Sequence, residues 1–119
     1  YAGIDIVLDT FPMNGGTTTC EALWLGVPVI TRSGDIFQSR AGLSILGSLG
    51  LDDLVAGSDE GYVRIAVDLA RDSARLAALR AGLRERMRAS PLTDARGYAR
   101  DLESAYRGIW RKWCSRPPR

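Results

Sequence analysis

Three short β-branched runs, separated by stretches with helical spacing, restrict this 119-residue chain to a narrow set of folds. The first run is Ile4 to Leu8 (IDIVL), the second is Val27 to Thr31 (VPVIT), and Leu51 to Ala56 (LDDLVA) supplies a third strand or edge piece. Brief apolar runs of this kind suit strands covered on both faces of a parallel sheet. Between the first two, Cys20, Leu23, Trp24 and Val27 recur at helical spacing from about Thr17 to Leu25. Gly26, with Pro28 close behind, marks the end of that helix. Ser39 to Leu49 predicts a second helix, closed by Gly50. Strand, helix, strand, helix, strand, helix predicts an α/β fold with right-handed crossovers and a short parallel sheet flanked by helices.

Downstream, Ser58 is a predicted N-cap, with Asp59 and Glu60 placed favourably against the helix dipole. Tyr62, Ile65, Ala66 and Leu69 form one apolar stripe, and Leu76, Leu79, Leu83 and Met87 form another. The stretch SPLTD breaks the chain, and a last helix carries Tyr98, Leu102, Ala105, Ile109 and Trp113. The expected domain is residues 1–114, followed by a loose tail at 115–119. Three short strands make a thin sheet, and the chain opens almost inside the first one. The pattern predicts the back portion of a nucleotide-binding α/β domain.

At 45% apolar and 25% charged residues, one globular domain with a real core is expected. No run approaches the roughly 18 apolar residues of a membrane span, so no membrane partner is expected. The opening YAGIDIVLDT lacks the basic flank of a secretory signal, and the expected location is cytoplasmic. The chain has no histidine. That excludes His-dependent triads, a histidine base and the common His-containing metal sites. Cys20 and Cys114 stand far apart, which speaks against a disulfide scaffold or a zinc site. Charge is unevenly divided: residues 1–60 hold eight acids and two arginines, whereas 61–119 hold six acids and fourteen bases. Such a division can mark a nucleic-acid surface. Here many of the bases alternate with acids on helix faces, so solvated faces are expected and no nucleic-acid partner.

The stretch NGGTTTCEALWLGVP, residues 14–28, sits where open parallel sheets bind ligands, just past a strand's carboxyl end. Gly15 and Gly16 let a backbone approach a ligand closely. The helix start behind them offers free N–H groups and a positive dipole end, which favour a phosphate. Thr17 and Thr18 add hydroxyl donors. Glu21 shares their helical face and suits ribose hydroxyls better than phosphate. This reading gives a nucleotide diphosphate site. Local pattern supports equally a reading in which glycine and threonine merely cap a helix. Neither G-x-x-x-x-G-K-[ST] nor G-x-G-x-x-G occurs, and there is no D-x-D pair to hold a metal. Asp52/Asp53 and Asp59/Glu60 read as a turn and a helix start.

The run LDTFPMNGGTTTCEALWLGVPVIT resembles the C-terminal catalytic region of the O-linked N-acetylglucosamine transferase and SPINDLY family, which includes bacterial homologues with tetratricopeptide repeats. The likeness continues through SRAGLSILGSLGLDDLVA, YVRIAVDLARD and SPLTD to LESAYRGIWRKWC, nearly the whole chain. It implies part of the C-terminal Rossmann-like lobe of a GT-B glycosyltransferase. It also implies an inverting, metal-independent enzyme that glycosylates Ser/Thr of proteins, with UDP-GlcNAc as donor and no cofactor. By resemblance Gly15, Gly16, Thr17 and Thr18 meet the diphosphate and Glu21 holds the ribose. The animal enzymes carry an aspartate at the Glu21 position and a histidine at the Gly16 position. SPINDLY transfers fucose from a guanine nucleotide, which makes a GDP-fucose donor the alternative. No catalytic residue is expected within this chain, and contacts to the protein acceptor are expected from parts outside it. Alone the chain is expected to be an inactive fragment that self-associates through the last helix, with Tyr106, Ile109 and Trp113, or through the open edge of the first strand. The other readings are a non-catalytic nucleotide-binding module and a scaffold or interaction module, the latter suggested by YRGIWRKWC.

Overall fold

The computed structural model describes residues 1–115. Its elements are β1 (Val7–Leu8), α1 (Thr17–Trp24), β2 (Val29–Arg32), α2 (Ala41–Gly47), β3 (Val55–Ala56), α3 (Asp59–Arg71), α4 (Ser73–Ala89) and α5 (Ala95–Cys114). Short 3-10 turns lie at Phe37–Arg40, Asp52–Leu54 and Pro91–Thr93. The strands form a parallel sheet in the order β1-β2-β3, as the α/β alternation predicts. Val7 pairs with Val29 and Leu8 with Ile30, while Thr31 pairs with Val55 and Arg32 with Ala56.

Two strands are shorter than the sequence predicts. Residues 1–4 close a turn through the Ile4 N–H and the Tyr1 carbonyl, and pairing begins only where Val7 N–H reaches Pro28 O at 2.9 Å. In the third run, Asp52 and Asp53 are taken up in a 3-10 turn, leaving Val55 and Ala56 to pair. Aspartate fits a half-buried pleated surface poorly, and valine fits it well.

The core gathers around β2, the central strand. Val29 and Ile30 are buried against Leu23 of α1, Leu46 of α2, Leu69 of α3 and Leu83 and Met87 of α4. Both predicted stripes pack on this core: Tyr62, Ile65 and Ala66 flank Leu69, and Leu76 and Leu79 precede Leu83. Gly26 ends α1 at φ 81°, where a side chain is strained, and a Cβ there would lie 2.9 Å from the Arg80 carbonyl. That glycine therefore lets α4 lie close against the α1–β2 turn. The Arg84 and Arg88 guanidinium groups stack on Trp24, 4.9 and 5.7 Å from the ring centre, and reinforce the same contact.

Asp72 separates α3 from α4 without a glycine or proline. Its carboxylate accepts from the Arg75 N–H at 2.9 Å, which caps α4. At the next corner the Ser90 and Thr93 hydroxyls both donate to the Met87 carbonyl, at 2.8 and 2.9 Å. Asp94 then caps α5 by accepting from Gly97 N–H at 2.8 Å. Beyond this elbow α5 buries none of its residues, and Tyr106, Ile109 and Trp113 are 63%, 66% and 63% exposed. The molecule is elongated in consequence, 63 × 29 × 19 Å, with a radius of gyration of 17.9 Å. A compact chain of this length would have about 13–14 Å. Ser115 follows α5 as its C-cap, its N–H reaching Arg111 O at 3.1 Å; the rest of the tail expected at 115–119 lies outside the described residues.

Candidate functional site

The site lies at the carboxyl ends of β1 and β2, where the chain leaves the sheet for α1 and α2. Asp9 follows β1 directly and is 9% exposed. Its carboxylate accepts from Gly15 N–H at 2.7 Å, Thr10 N–H at 3.0 Å and the Thr31 hydroxyl at 2.7 Å. Its carbonyl accepts from the Tyr62 hydroxyl at 2.8 Å. Asn14, equally buried, braces the same loop: its amide donates to Thr10 O at 2.9 Å and Arg32 O at 3.3 Å. Its side-chain oxygen accepts from Gly42 N–H at 3.4 Å. Loop 9–16 is thus tied to β2, α2 and α3 before α1 begins.

Gly15 and Gly16 differ sharply. A Cβ on Gly15 would stand 2.7 Å from the hydroxyl oxygens of Thr18 and Thr19, and 3.2 Å from Asp9 Oδ1. One on Gly16 would meet nothing within 4 Å. Gly16 is the N-cap of α1 and supplies no side-chain cap, and the first turn holds no acid. The three threonines divide: Thr19 turns into the core, while Thr17 and Thr18 are exposed. Glu21 is also exposed, on the following turn. The sequence-predicted residues therefore share the start of one helix, with free N–H groups, two hydroxyls and, one turn on, a carboxylate facing solvent. Such a terminus can receive an anion on its amides and hydrogen-bond donors on its carboxylate.

Charged groups edge this region. The Arg32 guanidinium lies 3.9 Å from the centre of the Phe11 ring and 2.7 Å from the Asp59 carboxylate, and its Nε is buried without a hydrogen-bond partner. Ser58 caps α3 by accepting from Gly61 N–H at 3.1 Å. The Glu60 backbone N–H, then the Ser58 hydroxyl, hold the Glu60 carboxyl below the usual carboxylate range. Burial, and secondly the Asp9 charge, push the Tyr62 phenol up. Burial likewise raises the Cys20 thiol. Among the described residues no three His, Cys, Asp or Glu side chains converge as metal ligands, and no helix is long and apolar enough to cross a membrane.

Sequence reasoning missed Asp9, Asn14, Thr31 and Tyr62 as members of this site. By sequence pattern Tyr62 is only one rung of an apolar stripe, and Asp9, Asn14 and Thr31 carry no assigned role in a site. The available signal was a single acid at the carboxyl end of an apolar strand, directly ahead of a glycine turn.

Comparison with known proteins bears on the family and the fold. The model of glycosyl transferase family 41 matches residues 2–102. The chain is 48% identical over 114 residues to a probable UDP-N-acetylglucosamine–peptide N-acetylglucosaminyltransferase SPINDLY of Oryza sativa, covering 96% of this chain and 12% of that protein. It is 37% identical to a UDP-N-acetylglucosamine–peptide N-acetylglucosaminyltransferase of Caenorhabditis elegans, covering 96% of this chain and 10% of the relative. A solved structure of a mutant O-GlcNAc transferase from Thermobaculum terrenum superposes with a TM-score of 0.86 at 45% identity, over 93% of this chain and 21% of that one. The chain thus spans about an eighth of the length of its plant relatives, and it belongs to glycosyl transferase family 41.

Proposed function

We propose that this chain is part of the donor-binding lobe of an inverting, metal-independent protein O-glycosyltransferase. The reaction moves N-acetylglucosamine from UDP-GlcNAc to Ser/Thr of an acceptor protein. The observation that carries the reading is the uncapped N-terminus of α1, held in place by a braced glycine loop at the carboxyl edge of a parallel sheet. Gly15, Gly16, Thr17 and Thr18 receive the diphosphate, and Glu21 the ribose hydroxyls. The name of the nematode relative includes the same donor, whereas SPINDLY is the relative behind the GDP-fucose alternative.

In such a transfer the acceptor oxygen attacks the anomeric carbon as the bond to the nucleotide breaks. Negative charge grows on the departing β-phosphate. Oriented N–H groups and hydroxyls at a helix start stabilise that charge without reorganising. This chain's part is leaving-group stabilisation and donor orientation, and the acceptor is held by other parts of the enzyme. We also propose that copies of the isolated chain associate through the exposed face of α5, with Tyr106, Ile109 and Trp113 at its centre.

The test is a titration of the protein with UDP, UDP-GlcNAc and GDP-fucose, followed by the amide signals of residues 15–21. Saturable shifts at Gly16, Thr17 and Thr18 with the uridine ligands support the reading. Preference for GDP-fucose would move the assignment to a fucosyltransferase, and shifts at none of these residues would remove it.

A further inference from the structure

We propose that Asp9 is the positioning residue of the donor site: without touching the ligand, it fixes the α1 N-terminus through the Gly15 N–H. The inference rests on the donor reading above. Asp9 stands at the end of β1 with both carboxylate oxygens already turned to donors, Gly15 and Thr10 on one and Thr31 on the other. A carboxylate facing a diphosphate would repel it, so an acid here is useful only turned away from the ligand and into the protein.

Three observations make the Asp9–Gly15 bond the point where the loop is set. First, an N–H donated to a carboxylate is stronger than a neutral pair, and at 2.7 Å this one is short. Second, Gly15 is wedged between Asp9 and the first helical turn. A Cβ there would lie 2.7 Å from the Thr18 and Thr19 hydroxyl oxygens and 3.2 Å from Asp9 Oδ1, so only a glycine lets the Asp9 carboxylate and the first helical turn come this close together. Third, Asp9 Oδ2 and its partner Thr31 lie close against α2, at a position that only a glycine fits. The Cβ position of Gly42 lies 2.2 Å from Thr31 Oγ1 and 2.9 Å from Asp9 Oδ2, so the start of α2 closes the far side. The Tyr62 hydroxyl holds the Asp9 carbonyl from α3 as well. Asp9 therefore transmits the register of three elements to one amide, and that amide sets where Thr17 and Thr18 present their donors.

The test compares UDP affinity with amide exchange at Gly15 in the protein and four variants. Asp9→Asn keeps an oxygen for Gly15 and loses the charge, and should bind UDP within about threefold of wild type. Asp9→Ala removes the acceptor and should weaken UDP by about tenfold or more, with faster exchange at Gly15. Asp9→Glu keeps the charge but moves the oxygen, and should weaken UDP despite it, which serves as the readout should the alanine variant not fold. Leu83→Ala, on α4 in the core, should lower the melting temperature and leave UDP affinity unchanged, separating positioning from general stability. Wild-type affinity in both Asp9→Ala and Asp9→Glu, or loss in Asp9→Asn equal to that in Asp9→Ala, would overturn the positioning role alone. Failure of the wild type to bind UDP would overturn the donor reading and this inference with it.

Discussion

The Tyr62 hydroxyl donates to the main-chain carbonyl of Asp9 at 2.8 Å, joining α3 to the end of β1 across 53 residues of sequence. Burial and the nearby Asp9 charge raise the phenol above its usual value near 10. An acid whose pKa is raised on folding stabilises the fold fully below its ordinary value and loses that contribution as pH rises through the raised one. Tyr62→Phe should therefore cost about 1 kcal/mol at neutral pH. The gap between wild type and variant should close as pH is raised beyond 10. Urea unfolding at neutral and strongly alkaline pH measures both; a gap that widens with alkalinity would refute the hydrogen bond as drawn.

The two loop glycines should respond differently to a side chain. Gly15→Ala forces a Cβ onto the Thr18 and Thr19 hydroxyls, an overpacking that costs about 1–3 kcal/mol. Gly16→Ser faces open space and supplies a capping hydroxyl, so its stability should stay within about 0.5 kcal/mol of wild type or rise. Thermal melts of the pair decide this, and equal losses would mean that the steric difference is not real.

Thr17→Ala with Thr18→Ala should leave the melting temperature almost unchanged, because both side chains are exposed. UDP affinity in the double variant should fall by about 3 kcal/mol, from two hydroxyl bonds to a charged group at about 1.5 kcal/mol or more each. Glu21→Asp should keep more nucleotide affinity than Glu21→Ala. Calorimetric titration reads both, and an undiminished affinity in Thr17→Ala/Thr18→Ala would remove the diphosphate assignment.

Ser58→Ala removes the N-cap of α3 and should cost about 1 kcal/mol. The same variant takes away one of the groups that, after the Glu60 backbone N–H and together with the Arg32 charge, hold Glu60 below the usual carboxylate range. Because that pKa is lowered on folding, its contribution is present above the usual value of 4.5 and disappears on acidification below it. The carboxyl titration of Glu60, followed by NMR, should therefore move upward in Ser58→Ala.

Sedimentation of the protein should show a concentration-dependent dimer or larger assembly at micromolar concentration, driven by the exposed aromatics of α5. Tyr106→Glu with Ile109→Glu should return it to a monomer. An assembly unmoved by that double change would place the contact elsewhere.

Sequence carried what is local. Gly26 and Gly50, read as helix ends, do adopt positive φ of 81° and 64°, and Ser58, read as a cap, accepts its predicted N–H. Helical periodicity likewise located the stripes that meet the core, since a single face repeats every few residues. What sequence did not disclose is the polar frame behind the glycine loop. Apart from the adjacent Thr10, the partners of Asp9 stand 6, 22 and 53 residues away, a spacing fixed by strand order and helix docking and by no local rule. Strand ends were overdrawn for a related reason. IDIVL has the composition of a strand throughout, yet only the residues opposite Val29 and Ile30 have a neighbour to pair with.

The elbow at Ser90–Asp94 has a mechanical consequence. A helix of 20 residues is a rod about 30 Å long, clamped near one end. A pivot of about 10° at the clamp sweeps the far tip through roughly 5 Å, about the rise of one helical turn. The two hydroxyls that converge on the Met87 carbonyl thus sit at the fulcrum of a long lever, where a small change of angle becomes a large displacement at Trp110 and Trp113.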